Sequence, residues 1–339
     1  MQPRTRTLLI IAGALVLLAS SAEARTIKIA TVMPDGSSWL VKMRSAGKEI
    51  ERKTAGRVKL KFYPGGVMGN DKTVLRKLRA GQLHGGAFTS GALAAIYPDV
   101  ELYSLPLLFR GSEEVDYVRE RMDEKLRAGL ENAGFVALSI SDGGFAYVLS
   151  QKPIRRVEDM GGTKVWLVED DIMSETALEI AGVSPVPLPI ADVYTALQTG
   201  LLDTVAAPPM GAIAFQWHTK LRYLTDVPLM YLIGILALDR KTFEKLSPED
   251  QAVVRQVVGE AGKRLDRENR AGEENARQAL QNQGIEFVMA SSDEEISRWH
   301  NISQQALVKL RAMNRYSEAM IEELLRHVES FRAAQPAEQ

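Results

Sequence analysis

Hydrophobic and polar positions alternate with period two over residues 26–32, where Ile27 and Ile29 are set against Thr26 and Lys28. The alternation and its β-branched residues predict a strand, closed by the turn Met33-Pro34-Asp35-Gly36-Ser37-Ser38. A helix follows from about Trp39 and ends near Thr54-Ala55-Gly56. Val58, Leu60 and Phe62 then alternate with Arg57, Lys59 and Lys61 in a second strand, which Pro64-Gly65-Gly66 closes. Asp71 stands where an N-cap is expected before Val74, Leu75 and Leu78, and Gly81 stops that helix. A β-α-β-α succession predicts a parallel sheet covered by helices, with a ligand at the carboxyl ends of its strands.

Further along, Leu102-Tyr103-Ser104-Leu105-Pro106-Leu107-Leu108-Phe109 is too apolar for a surface loop and is expected between layers. A helix over 113–133 and a strand over 134–140 lead to Ser141-Asp142-Gly143-Gly144, a hinge candidate because adjacent glycines tolerate large φ/ψ changes. The second half repeats the style, with strands over 145–149, 164–168 and 203–206 and helices starting near Asp170 and Asp192. The apolar strand 229–238 suits a second crossing between domains. Ser247-Pro248-Glu249-Asp250 opens a long helix to about Gln283, since Ser caps, Pro fits the first helical position and acids favour the first turn. A short strand over 284–288 precedes one uninterrupted helix over 293–334. Its stripe, including Ile296, Trp299, Ile302, Ala306, Leu310 and Leu324, packs on its own domain or forms a dimer seam.

Composition narrows the function. Among 339 residues, Lys+Arg 42 against Asp+Glu 43 leave no basic surface of the kind nucleic acid demands, and 6% aromatic content offers no stacking platform. Arg4 and Arg6 precede the apolar run 8–18 and then Ala22-Glu23-Ala24, which reads as a secretory signal peptide over residues 1–24, too short to span a bilayer. With no cysteine there is no disulfide, zinc-thiolate site or thiol nucleophile. No G-x-S-x-G, H-E-x-x-H, P-loop or G-x-G-x-x-G spacing occurs, and His84, His218, His300 and His327 stand apart. His218 reads as structural, and Ser90 and Asp142 as turn residues. The expectation is an exported binder that closes around a small ligand, with no enzyme activity, cofactor or metal.

Several segments resemble the solute-binding proteins of tripartite ATP-independent periplasmic (TRAP) transporters, of the dicarboxylate-binding type. They are Lys28-Ile29-Ala30-Thr31-Val32 with Ser38-Trp39, Thr54-Ala55-Gly56-Arg57-Val58-Lys59, Tyr63-Pro64-Gly65-Gly66-Val67-Met68-Gly69 and Leu105-Pro106-Leu107-Leu108-Phe109. Lys152-Pro153-Ile154, Gly162-Thr163-Lys164-Val165, Pro185-Val186-Pro187-Leu188-Pro189 and the run Val193 to Asp203 follow in order. The resemblance implies a type II periplasmic-binding-protein fold: two α/β domains, a hinge and a long connecting helix. The expected division is 25–143 plus 232–271 for the first domain and 144–231 plus 272–334 for the second. It also implies a periplasmic location and delivery of the ligand to integral membrane subunits, by a monomer or by a dimer through the C-terminal helix.

The departures from the family pattern point to the ligand. The resemblance implies an arginine, forked onto a ligand carboxylate, where this chain has Trp166. A supporting arginine falls at Ala146 and an asparagine at Ala207. An unpartnered buried carboxylate costs several kcal/mol, so acids are disfavoured unless another cation serves, with Lys42 and Arg44 as candidates. Trp39, Met33, Phe88, Phe145, Tyr147, Met210, Phe215 and Trp217 fall on segments that line the cleft in the family and are expected to form an apolar cage with Trp166. Glu169 and Asp170 can accept from a hydroxyl or an amine, and Asp170 can also cap the following helix. The expected ligand is neutral or largely hydrophobic, lipid-like or aromatic. The alternatives are an organic acid held by a different cation, and a ligand carrier or sensor adaptor that feeds no transporter.

Overall fold

The computed structural model describes residues 24–289 and 292–335, so the expected signal peptide lies outside the described residues except for its last position. The first lobe begins with β1 (Arg25–Thr31), α1 (Ser38–Lys53), β2 (Val58–Tyr63), α2 (Asp71–Arg79), β3 (Gly85–Thr89), α3 (Ser90–Ala94) and α4 (Ser112–Asn132). β4 (Phe135–Ser150) leads into the second lobe, with β5 (Trp166–Leu167), α5 (Ile172–Ile180), β6 (Val186–Pro187), α6 (Val193–Thr199), β7 (Thr204–Ala207) and α7 (Pro209–Ala214). β8 (Tyr223–Asp239), α8 (Arg240–Phe243), α9 (Pro248–Asn282), β9 (Glu286–Val288), α10 (Asp293–Ala312) and α11 (Glu318–Ala334) complete the chain.

One sheet runs through both lobes in the order β2-β1-β3-β8-β4-β7, with β9 also on β8. β1 is parallel to β2 and β3, whereas β8 is antiparallel to β3 and β4. The long strands join the lobes: 16 residues in β4 and 17 in β8 reach ~50 Å at ~3.3 Å per residue. One end of β8 pairs with β3, as Gly85↔Leu238, and its other end carries β9, as Tyr223↔Glu286. The expected hinge at 141–144 is therefore not a loop between two strands. It is a bulge inside one strand, because Ile233 and Leu232 of β8 hold Asp142 and Gly144 on either side of the register shift. Gly144 sits at φ 84, where a side chain is strained, and its N–H donates to Asp142 Oδ1 at 2.7 Å.

Ser247 caps α9 by accepting from Asp250 N at 3.1 Å, and Pro248 is its first residue, so the helix begins as expected. α9 lies along β4, α1 and α7, and a Cβ on Gly262 would stand 2.9 Å from Ser139 Cβ, so helix and sheet approach at glycine. Beneath this contact Arg119 of α4, 7% exposed, donates to Ile140 O at 2.7 Å, Tyr231 Oη at 3.1 Å, Asp123 at 3.0 Å and Asp266 at 3.2 Å. Asp266 Oδ1 in turn accepts from Asp142 N at 2.7 Å, and Asn269 Nδ2 donates to Asp142 O at 2.9 Å. The bulge between the lobes is thereby tied to α4 and α9.

The single helix expected over 293–334 is two. Asn314 adopts φ 50, Tyr316 is buried with its hydroxyl on Glu101 Oε2 at 2.7 Å, and Ser317 caps α11. Asp99 Oδ1 accepts from Ser317 N at 2.8 Å. Tertiary bonds at this corner outweigh helix continuity, which carries no Gly or Pro signal. α10 packs on α5 and α11 on α4, with Trp299, Ala306, Leu310, Ile321, Leu324 and Val328 buried, so the stripe packs within the chain.

Candidate functional site

The carboxyl ends of the first lobe's parallel strands face the turn after β5 and the segment after β6. Gly65 N donates to Met33 O at 2.9 Å and Gly66 N to Thr31 O at 3.1 Å, which places the β1 and β2 ends side by side. A Cβ on Gly66 would stand 3.3 Å from Ala191 Cβ, so the backbone there meets the other lobe closely. Asn70, not Asp71, caps α2: its Oδ1 accepts from Thr73 N at 3.1 Å. The same side chain bridges the lobes, since its Nδ2 donates to Glu169 Oε2 at 3.0 Å. Beside it Lys72 Nζ pairs with Asp170 Oδ2 at 2.9 Å, a second interlobe contact. Asp170 has φ 66 and leaves the cap of α5 to Asp171, which accepts from Ser174 N at 2.9 Å and Ser174 Oγ at 2.7 Å.

Between these elements lies a cavity of about 50 Å³, walled by Gly69, Asp71, Lys72, Val168, Asp170 and Ile190 among others. Burial, with Glu169 nearby, pushes the Asp71 carboxyl up to about 6. Behind Val168, which faces both spaces, a larger chamber of about 100 Å³ opens under α5 and α10. Its wall is mostly apolar, with Leu107, Val148, Leu178, Met230 and Ile302, and its polar groups are Asp171, Ser174, Thr204 and the indole N–H of Trp299, which has no hydrogen-bond partner among the described residues.

The residues expected from the sequence divide into groups. Trp166, Trp217 and Phe215 come together: Trp166 meets Trp217 edge to face with centroids 5.1 Å apart, and Phe215 stacks on Trp217 at 5.1 Å. Trp166 is 8% exposed, borders the larger chamber, and donates its indole N–H to Leu188 O at 2.9 Å. Ala207 is 2% exposed and pairs with Tyr147, while Ala146, wholly buried, pairs with Met230, a wall residue of the chamber. Phe88 borders a smaller space of about 10 Å³ at the β1 and β3 ends, Met33 follows β1 there, and Glu169 sits on the interlobe bridge.

The others lie elsewhere. Trp39 packs edge to face on Phe62, centroids 6.2 Å apart, in the core under α1. Phe145 packs on Tyr231 at 5.4 Å in the aromatic core beside the bulge. Tyr147 faces α9, with the Arg277 guanidinium 5.1 Å from its ring, and burial pushes its hydroxyl up to about 12. Met210 is 38% exposed and turns toward Gly272 of α9. Lys42 and Arg44 border none of the described cavities and pair with Glu268 and Asp35. His218 is buried, its Nδ1 3.0 Å from Ala212 O.

Sequence reasoning missed Asn70, Asp71 and Lys72, which follow directly on the Gly69 that ends a resembling segment. Three consecutive polar residues after a glycine-rich turn were the available signal. Among the described residues no group of three or more His, Cys, Asp or Glu could hold a metal ion, and no helix is long and apolar enough to cross a membrane.

Residues 29–313 match the profile of the bacterial extracellular solute-binding protein family 7. The 2,3-diketo-L-gulonate-binding periplasmic protein YiaO of Escherichia coli is 26% identical over 260 residues, covering 75% of this chain and 78% of that one. Among solved structures, the sugar acid binding protein of Advenella mimigardefordensis in complex with galactonate superposes with a TM-score of 0.84 at 20% identity, over 91% of this chain and 99% of that one. A TRAP periplasmic solute binding protein of Xanthobacter autotrophicus with bound β-D-galacturonate gives 0.82 at 20% identity, over 90% and 99%.

Proposed function

The chain belongs to the bacterial extracellular solute-binding protein family 7 and is the solute-binding partner of TRAP-type membrane subunits rather than an enzyme, and we propose that, unlike the acid-binding relatives, it takes a neutral or largely apolar ligand. The observation that carries this reading is Trp166. Its one donor is spent on Leu188 O, its ring is held by Trp217, and Ala146 and Ala207, both buried, offer no side-chain hydrogen bond. Among the residues bordering the cleft and the chamber, Lys72 is the one cation, and Asp170 already pairs with it. Asp71, Glu169 and Asp170 make the cleft acidic, so a carboxylate entering it meets repulsion without compensation. The lobes divide in our reading at the β4 bulge and at the facing step of β8, giving 25–143 plus 232–271 and 144–231 plus 272–312, with α11 on the first lobe where it packs on α4. Closure then bends the sheet where Gly144 already departs from strand geometry.

Native mass spectrometry of the protein purified from its host, followed by denaturing extraction, tests the reading. We expect a co-purifying apolar compound, and a carboxylic acid overturns the assignment. Trp166→Arg adds a forked donor at the wall of the chamber and should strengthen binding of galactonate by at least about tenfold, the value of ~1.5–3 kcal/mol for a charge-assisted pair. Calorimetry on both proteins checks it, and unchanged acid affinity removes Trp166 from the site. A second reading, an organic acid held by Lys72 after release from Asp170, is favoured by the sugar acids in the solved relatives. It requires Lys72→Met to abolish binding of the extracted compound.

A further inference from the structure

We propose that the chamber under α5 and α10 receives the apolar body of the ligand, a single ring or short chain, and that the polar end left in the cleft is a hydrogen-bond donor. This inference rests on the reading of the ligand as neutral or apolar and adds where it sits and which end group it carries.

The chamber has the size and lining for this occupant. At about 100 Å³ it is smaller than the ~150 Å³ engineered cavity that admits benzene, but it adjoins the cleft at Val168, so a ring need not be enclosed completely. Leu178 comes from α5, Trp299 and Ile302 from α10, and Val148 and Met230 from the strands, so the walls belong to rigid elements. Ala177 and Ala181 are small where the helix faces the space, and a larger side chain at either would fill it. Leu107 closes one end, held at φ 53 with its N–H on Leu229 O at 2.7 Å.

The groups at the junction select the end group. Asp171 borders the chamber, and its two oxygens accept from Ser174, while Glu101 and the Arg315 guanidinium also act on its carboxyl. Glu169 and Asp170 continue the same turn into the cleft, and Asp71 faces them from α2. Among the residues that line the cleft, every charge apart from Lys72 is an acceptor, so a hydroxyl or protonated amine is satisfied there and a carboxylate is not.

Three probes with one ring and different ends test this in isothermal titration calorimetry: benzyl alcohol, benzylamine and benzoate. We expect benzyl alcohol or benzylamine to bind at least tenfold more tightly than benzoate, and Ala177→Phe to weaken that binding at least tenfold. Crystals pressurised with xenon supply a readout that needs no variant, with xenon density expected between Leu178 and Met230. Benzoate binding best overturns the donor end and the neutral-ligand reading together. Binding that survives Ala177→Phe, or xenon absent from the chamber, overturns the chamber alone and leaves that reading standing.

Discussion

Arg119→Met lowers the unfolding free energy by about 3–5 kcal/mol, the usual cost of removing one partner from a buried ion network. The guanidinium is 7% exposed and binds Asp123, Asp266, the Tyr231 hydroxyl and the Ile140 carbonyl. Burial opposes its charge, yet the Tyr231 hydroxyl and the two carboxylates hold it more firmly protonated than an ordinary arginine. Methionine fills similar volume but leaves Asp123 and Asp266 without their cation, though Tyr103 and Asp142 N still donate to them, and strands the Ile140 carbonyl in a low-dielectric setting. The loss reaches the bulge, because Asp266 also accepts from Asp142 N. Urea unfolding of both proteins measures the effect, and Arg119→Lys should fall between them, since a point charge replaces only part of the fork. A loss under about 1 kcal/mol would show that the network is solvated and does not brace the hinge.

The elements legible in the sequence were those whose causes are local. Alternation at Ile27 and Ile29 gave β1, and Ser247-Pro248 gave the start of α9, because period and capping act within a few residues. The two crossings were legible as apolar runs, but their fusion into one sheet was not, since β4 is continuous only by virtue of its partners on β8. The break at Asn314 was invisible for the same reason: Asp99 and Glu101, over 200 residues away, set it. At the site, the aromatic identity of Trp166, Phe215 and Trp217 could be read, and the structure brings them together. Trp39, Tyr147 and Met210 lie on segments near the cleft but turn to Phe62 of β2 and to α9, because side-chain direction follows from packing across the sheet and not from position in a motif. The interlobe pairs of Asn70 and Lys72 depend on how the lobes meet, which no local pattern encodes.

Wild-type stability should fall between pH 6.5 and 8, with Glu101 contributing up to about 1.4 kcal/mol per pH unit, and Glu101→Gln should reduce that slope by this share. Glu101 is 1% exposed; its Oε2 accepts from Tyr316 and its Oε1 has no partner, so burial, with Asp171 adding repulsion, pushes its carboxyl up to about 8. A folded-state value above the unfolded 4.5 means that the folded protein holds the proton longer. The associated stability is complete below about pH 4.5 and is lost as pH rises to about 8, a total of up to ~5 kcal/mol. Asp71 and Asp142, pushed up to about 6, act in the same direction but finish at lower pH. His84 and His300 are depressed by burial from 6.5, so their effect has the opposite sign and is over by about pH 6.5. Asp171, Asp266 and Glu273 are also raised by burial and act in the same direction, so the part of the slope from 6.5 to 8 that disappears in Glu101→Gln is what reports on Glu101 and the Asp171 carboxyl coupled to it. Glutamine keeps an acceptor for the Tyr316 hydroxyl and cannot ionise, so the variant should match the wild type near pH 5 and exceed it by several kcal/mol at pH 8.5. Denaturant titrations at those two pH values decide the matter: equal pH dependence in both proteins would mean that water or Arg315 already compensates the ionised Glu101 beside Asp171.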